Sequence, residues 1–313
     1  MPSNKFEVVC VGSATIDCFV RIPCDFNQIK HGSKVLIDDI DLQTGGGATN
    51  VAVGISRLGL KTGFIGELGE DLDAHMIKHD LQKERVSFLV NQHSRHHTAY
   101  SVVLEAKGKD RAILVYKGAS SFLHPNEIPK DLKTGWFYFA SVTGESFNTM
   151  ERIAAYAKRN NINVYYNPSS YMTEKGRGFM KKILASTTIL ALNREEAEML
   201  VKANDYKGLL KGLHTLGPQV CIITDGSRGV HAFDGNTFYH HAAKKLKAVD
   251  TTGAGDAFGA GFLAGFIIAK DKPLEKRIVF AIRLGMANAE SVVMRVGAKP
   301  GLLTRKMAAS LMN

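Results

Sequence analysis

The sequence predicts an α/β fold: a mostly parallel sheet covered by helices on both faces, with a small second sheet projecting from it. Three observations predict it. Short apolar runs at 6–12, 62–66, 86–90, 136–140, 163–166, 188–191 and 220–224 alternate with helical patterns at 71–84, 145–160 and 195–203. That is the rhythm of βα units around a buried sheet. Loosely alternating, β-branched stretches at 18–22, 34–42, 98–105 and 111–116 come from two separate places without helices between them, so they make a sheet of their own. Finally, a charge-free run at 257–269, crowded with Gly, Ala and Phe, follows Gly253-Ala254-Gly255 and reads as a helix buried among other elements.

The 313 residues fit one domain over 1–313, with the small sheet drawn from about 18–42 and 98–117. With 45% hydrophobic and 22% charged residues the chain reads as a soluble globular protein. No apolar run has the length of a membrane span, and Lys270-Asp271-Lys272 closes the longest one. The first residues, MPSNKFEVV, lack a basic segment followed by a long apolar core, which argues against secretion. Cys10, Cys18, Cys24 and Cys221 show neither C-x-x-C nor zinc spacing. Cys10 and Cys221 lie in apolar runs and read as buried thiols, in keeping with a reducing cytoplasm. The net charge of +10 is scattered along the chain with no aromatic-basic stripe, which argues against nucleic acid. Its densest cluster, Lys244-Lys245-Leu246-Lys247, lies just before the turn at 253–255, where its field would steer a polyphosphate.

Taken in order, residues 6–12 (FEVVCVG) read as a buried parallel strand. Ser13 to Asp17 follow its C-terminal end, where open α/β sheets place ligands; Asp17 is either a turn residue or a ligand contact. Gly45, Gly46 and Gly47 let backbone approach a ligand closely, and Asn50 presents an amide one turn into the next helix. Lys107-Gly108-Lys109-Asp110 is a hairpin signal. His93, His96 and His97 have no acidic or cysteine partner nearby, so they read as a solvated loop rather than a metal site, as do His240 and His241. Asn193 and Glu196 form a capping box at a helix start. Residues 221–229 (CIITDGSRG) read as a strand–turn–strand, with Asp225-Gly226 making the turn.

The decisive stretch is VDTTGAGDAFGAG from Val249. Gly253, Ala254 and Gly255 expose backbone N–H groups at the positive end of a helix dipole, which makes an anion site. Asp256 stands in that turn. A carboxylate beside an anion seat suits phosphoryl transfer, with Asp256 accepting the proton of an attacking hydroxyl. The plainer reading is a glycine turn whose Asp only complements the dipole. A dinucleotide-binding turn is excluded, because G-x-G-x-x-G would need Gly where Phe258 stands.

Asp250-Thr-Thr-Gly-Ala-Gly-Asp256 resembles the C-terminal signature of the ribokinase (PfkB) family of sugar and nucleoside kinases. Gly45-Gly-Gly-Ala-Thr-Asn50, followed by VAVGISRLG, is similar to its N-terminal one, and the resemblance spans nearly the whole chain. It implies a ribokinase-like three-layer α/β/α sandwich with a mostly parallel central sheet and a small β-sheet lid. It implies an ATP-dependent kinase acting on a hydroxymethyl group of a sugar or sugar derivative, with Mg²⁺; some relatives use ADP. By the same resemblance, Asp17, Thr15, Gly46, Gly47 and Asn50 hold the acceptor. Asp256 is general base, and Gly253, Ala254 and Gly255 with it form the anion hole. Asn193 and Glu196 order Mg²⁺-bound water and phosphates. Thr224, Gly226 and Gly229 line the nucleotide, and Asn288 faces adenine. Asp250 and Thr252, with carbonyls of Val292, Arg295 and Gly297, hold K⁺.

Thr15 takes a position often held by Asn, Gly47 one where ribokinases carry Lys, and Gly301 one where they often carry Ser. Gly47 leaves room for a bulkier sugar or a nucleoside, so a nucleoside kinase is the alternative within the enzyme class. Outside that class stands a non-catalytic sugar or nucleotide sensor. The resemblance also implies a homodimer through the lid sheet.

Overall fold

The computed structural model describes residues 5–90, 94–107 and 111–312. His93 and the 108–110 part of the expected hairpin turn lie outside them. In chain order the first elements are β1 (Lys5–Val11), β2 (Thr15–Arg21), β3 (Asp39–Gly45), α1 (Gly47–Arg57), β4 (Thr62–Ile65), α2 (Leu72–Lys83), β5 (Val86–Phe88), β6 (Ala99–Glu105) and β7 (Arg111–Tyr116). Then come β8 (Lys133–Phe139), α3 (Glu145–Arg159), β9 (Asn163–Tyr166), α4 (Ser170–Thr173), α5 (Gly176–Leu184), β10 (Ile189–Asn193), α6 (Arg194–Leu200), α7 (Tyr206–His214) and β11 (Val220–Thr224). The chain finishes with β12 (Val230–Phe233), β13 (Phe238–His241), α8 (Ala254–Ile268), α9 (Leu274–Val292) and α10 (Arg305–Met312).

The central sheet runs β13-β12-β11-β10-β9-β8-β1-β4-β5 and is parallel from β11 to β5, with an antiparallel β12–β13 edge. Val8, Val9, Cys10 and Val11 are wholly buried, because parallel strands are covered on both faces. Two apolar cores follow. One lies under α1, α2, α8 and α9, around Val8, Phe64, Tyr138 and Phe262. The other lies under α3, α5, α6 and α7, around Val9, Phe137, Tyr166 and Leu210. The chain leaves β1 toward β4 on one side and β8 on the other, so the strand order reverses at the β1–β8 pair. A crevice forms outside the carboxyl ends of strands at such a reversal.

The second sheet, β3-β2-β6-β7, is the expected small one. Its boundaries moved. The stretch read as 34–42 pairs only over Asp39–Gly45, and the one read as 18–22 begins at Thr15, because Thr15↔Gly45 and Arg21↔Asp39 set the antiparallel register. That register puts Asp17, Ser101 and Gln43 in one row on one face. The β12–β13 hairpin and helices α5, α7 and α10 were not expected.

Helix α8 packs on α9 and on β8 at backbone distance. A Cβ on Gly261 would stand 2.7 Å from the Leu284 carbonyl oxygen, and one on Gly259 would stand 2.5 Å from the Tyr138 hydroxyl. Small residues here are a packing requirement. Among the described residues no helix is long and apolar enough to cross a membrane.

Candidate active site

The crevice is a cavity of about 280 Å³, walled by Ser13 beyond β1, Gly47, Ala140 and Ser141 beyond β8, and Asn167 to Ser169 beyond β9. Asn193, Glu196, Thr224, Gly255 and Asp256 complete it. Five strand ends (β1, β8, β9, β10, β11) and three helix starts (α1, α6, α8) therefore meet where the strand order reverses.

The two glycine signatures, some two hundred residues apart, come into contact. Asn50 Nδ2 donates to Asp256 Oδ2 at 2.9 Å. Gly47 lies close enough that a Cβ on it would stand 3.5 Å from Asp256 Oδ1. Withdrawal from water pushes the Asp256 carboxyl up to about 6, with the Asn50 bond opposing and the nearby Asp17 charge adding to the rise. Asn50 is 5% exposed, and its Oδ1 has no hydrogen-bond partner among the described residues. A buried acceptor left open beside a carboxylate matches an incoming hydroxyl.

Asp17 extends the acceptor side. Thr15 Oγ1 donates to its Oδ1 at 3.1 Å. Burial raises its carboxyl above the ordinary range, against hydrogen bonds from Ser101 and Thr15 and the charge of Lys299. Gly45 lies against Asp17 so closely that any side chain there would displace the carboxylate. Gly46 is the N-cap of α1, and the Asn50 N–H bonds back to its carbonyl at 2.9 Å.

The turn at 253–256 presents open amides, with one exception. Gly253 caps α8 at φ +74°, a left-handed conformation open to glycine at little cost. The amides of Gly253, Gly255 and Asp256 find no acceptor in the described protein, whereas Ala254 N–H is turned back to the Thr251 carbonyl at 3.3 Å. Ala254 therefore gives less to an anion hole than its neighbours.

Asn193 and Glu196 form the capping box: Glu196 N–H donates to Asn193 Oδ1 at 2.8 Å, and Asn193 N–H to Glu196 Oε2 at 3.0 Å. Both residues also line the cavity, so capping and a site role coexist. One buried carboxylate with an amide oxygen suits Mg²⁺, which takes few protein ligands and fills its shell with water and phosphate oxygens. Among the described residues no group of three His, Cys, Asp or Glu side chains is gathered for a metal. His96 stacks on Phe122 at 3.8 Å instead.

Other expected contacts fall elsewhere. Thr224 lines the cavity, but Gly226 and Gly229 sit in the turn joining β11 to β12, closed by Asp225 N–H to the Gly229 carbonyl at 2.8 Å. Asn288 is a correction. It is fully buried, and its Nδ2 donates to the Ala257 carbonyl at 2.7 Å while its Oδ1 accepts from Leu303 N–H at 2.9 Å. Its amide ties α8 to the chain after α9 and does not face a nucleotide.

The expected K⁺ ligands Asp250, Thr252 and Gly297 gather, and several of their oxygens already accept hydrogen bonds. Asp250 Oδ1 accepts from the Thr252 amide and hydroxyl, and Oδ2 from Gly297 N–H at 3.0 Å. The Arg111 guanidinium already stands 3.8 Å from Oδ1. The Val292 carbonyl accepts from Arg295 N–H. A Ser in place of Gly301 would put its Cβ 2.5 Å from the Ser291 carbonyl oxygen, so no extra ligand can be added there.

Sequence reasoning placed Ser13 in a ligand-binding stretch but did not find Ala140, Ser141, Asn167 or Ser169. Their only signal is position, each directly beyond the carboxyl end of a sheet strand.

A carboxylate of raised basicity, open amides at a helix start and a capped carboxylate across one small cavity define a phosphotransferase acting on an alcohol. Comparison with known proteins agrees. The family described as pfkB family carbohydrate kinase matches residues 5–304, and the chain belongs to it. An uncharacterized sugar kinase of Archaeoglobus fulgidus is 34% identical over 258 residues, 80% of this chain and 98% of that protein. A cytidine kinase of Thermococcus kodakarensis is 28% identical over 93% of this chain and 97% of its own. Arabidopsis thaliana ribokinase, solved with ribose and ATP, superposes with a TM-score of 0.82 at 23% identity, covering 98% of this chain and 99% of that one. The fold is thus the ribokinase fold, and the protein is a carbohydrate-kinase-type phosphotransferase.

Proposed function

We propose that the protein transfers the γ-phosphoryl group of ATP to a hydroxymethyl group of a sugar or sugar derivative. The Asn50–Asp256 contact carries this reading, because it joins the acceptor signature to the catalytic one at hydrogen-bond distance. Asp17 and the open Oδ1 of Asn50 receive acceptor hydroxyls. Asp256 takes the proton as the hydroxyl oxygen bonds to phosphorus and the bridging oxygen leaves with ADP. The free amides of Gly253, Gly255 and Asp256 hold charge on the moving group. Mg²⁺, when bound, would neutralise phosphate charge, and Glu196 and Asn193, which line the cavity, would hold its waters.

A nucleoside acceptor is the second reading, favoured by Gly47 and by Phe19, which shares the Asp17 face of β2 two residues on. Coupled measurement of ATP consumption against pentoses, hexoses, sugar phosphates, sugar acids and nucleosides tests both. Acceptor-dependent turnover is expected; ligand binding with no turnover on any acceptor would instead support the sensor.

A homodimer through the lid belongs to the same proposal. On the lid face away from Asp17, Ile40, Leu42, Leu114 and Tyr116 are 56%, 45%, 59% and 49% exposed, a patch of the kind that seeks a partner. Light scattering is expected to give twice the chain mass, and Leu42→Glu with Leu114→Glu is expected to give monomers. A wild-type monomer at micromolar concentration would refute the dimer.

A further inference from the structure

We propose that Lys117 is a specificity-determining residue of the acceptor pocket, and that the acceptor is a sugar carrying an anionic group, a phosphate or a carboxylate. The inference rests on the kinase reading above and narrows it.

Lys117 stands at the root of the lid, between the last residue of β7 and the short turn Gly118–Ser121. That turn is fastened to the walls of the active-site cavity. Ser120 Oγ donates to the Ala14 carbonyl at 3.2 Å, next to Ser13, and Ser121 Oγ meets Thr143 Oγ1 at 2.8 Å, two residues beyond Ser141. Lys117 Nζ lies 4.7 Å from the ring centroid of Tyr171, two residues beyond Ser169 of the cavity wall. The amine therefore stands at the root of the lid, beside the segment that walls the cavity beyond β9.

Two cations drawn into the body have carboxylates: Arg57 bonds Glu84 at 2.6 Å, and Lys299 bonds Asp80 at 2.7 Å. A third, Arg277, donates to the Phe266 carbonyl. Lys117 is half-buried and has no carboxylate within ion-pair distance among the described residues. Burial lowers its basicity, and a ring face replaces only part of the lost hydration. The neighbouring wall supplies neutral groups, with Ser141 and Ser169 joined hydroxyl to hydroxyl at 2.6 Å. An acceptor anion would meet one ammonium and two hydroxyls, a set matched to phosphate or carboxylate oxygens. The pocket's own carboxylates, Asp17, Asp256 and Glu196, stand toward the hydroxyl and phosphoryl end.

The test is kcat/KM with ATP for sugar phosphates, sugar acids, unsubstituted sugars and nucleosides, in wild type, Lys117→Met and Lys117→Arg. The expected result is a wild-type preference for an anionic acceptor, with the phosphate and acid arms showing which anion it is. Lys117→Met should collapse the anionic-over-neutral ratio by about 10²-fold, the scale of one charge-assisted bond, and Lys117→Arg should restore most of it. A preferred neutral sugar or nucleoside would overturn the proposal while leaving the kinase intact. So would a Met variant that lowers all acceptors alike, as a purely structural ammonium–ring contact predicts. Absence of turnover on every acceptor would overturn both readings together, and is distinguishable for that reason.

Discussion

Asp256→Asn lowers kcat by at least ~10²-fold, the usual scale for loss of a general base, while ATP and acceptor still bind. The substitution keeps the shape of the side chain and an oxygen for the Asn50 amide, which donates to Oδ2 at 2.9 Å. It removes only the capacity to accept a proton. The pH profile gives a second readout. Burial holds the Asp256 carboxyl at about 6, so the base form declines below that value. Wild-type kcat/KM should then fall about tenfold per pH unit on the acid side, and the residual activity of the Asn variant should lack this limb. Stability moves the other way. A carboxyl whose folded value is raised loses stability as pH climbs from its unfolded value toward the folded one, so the Asn variant should melt no lower than wild type at pH 8. Near-normal turnover in the variant would remove Asp256 from the chemistry.

The second large effect separates two glycines of the same turn. Gly255→Val should cost about 10²-fold or more in kcat/KM, the scale of a lost oxyanion donor, with thermal stability retained. A Cβ at 255 meets nothing within 4 Å, so the added side chain stands over the open amides without straining the fold. Gly253→Ala should fail differently. The site needs φ +74°, and a Cβ there would run into Ala298, so both melting temperature and activity should drop. Paired melting curves and initial rates decide. Equal losses of stability in both variants, or full activity in the Val variant, would refute the anion hole as described.

The layered sheet was readable because its strands are continuous apolar runs, as 6–12 and 220–224 show, and burial on both faces demands that. The edge hairpin β12–β13 was not, since Val230–Phe233 and Phe238–His241 are each short and carry His, Asp and Asn around them. The site followed the same division. That Asn50 and Asp256 meet was legible because glycine clusters announce close backbone approach, and Asp17 stood out because it follows the carboxyl end of the first strand. Ser141 and Ser169 were not, because a serine beyond a strand looks like any loop serine until the strand order is known. Asn288 illustrates a further limit. One helical turn decides whether an amide faces a ligand or the interior, and the contact with Leu303 that fixes it comes from a segment with no sequence signal.

The seating of α8 has a mechanical consequence. With Gly261 set against the Leu284 carbonyl and Gly259 against the Tyr138 hydroxyl, the helix bearing Asp256 leaves no room for a larger side chain on either face. Substitution of either glycine would have to push that helix, and the carboxylate at its start, out of place.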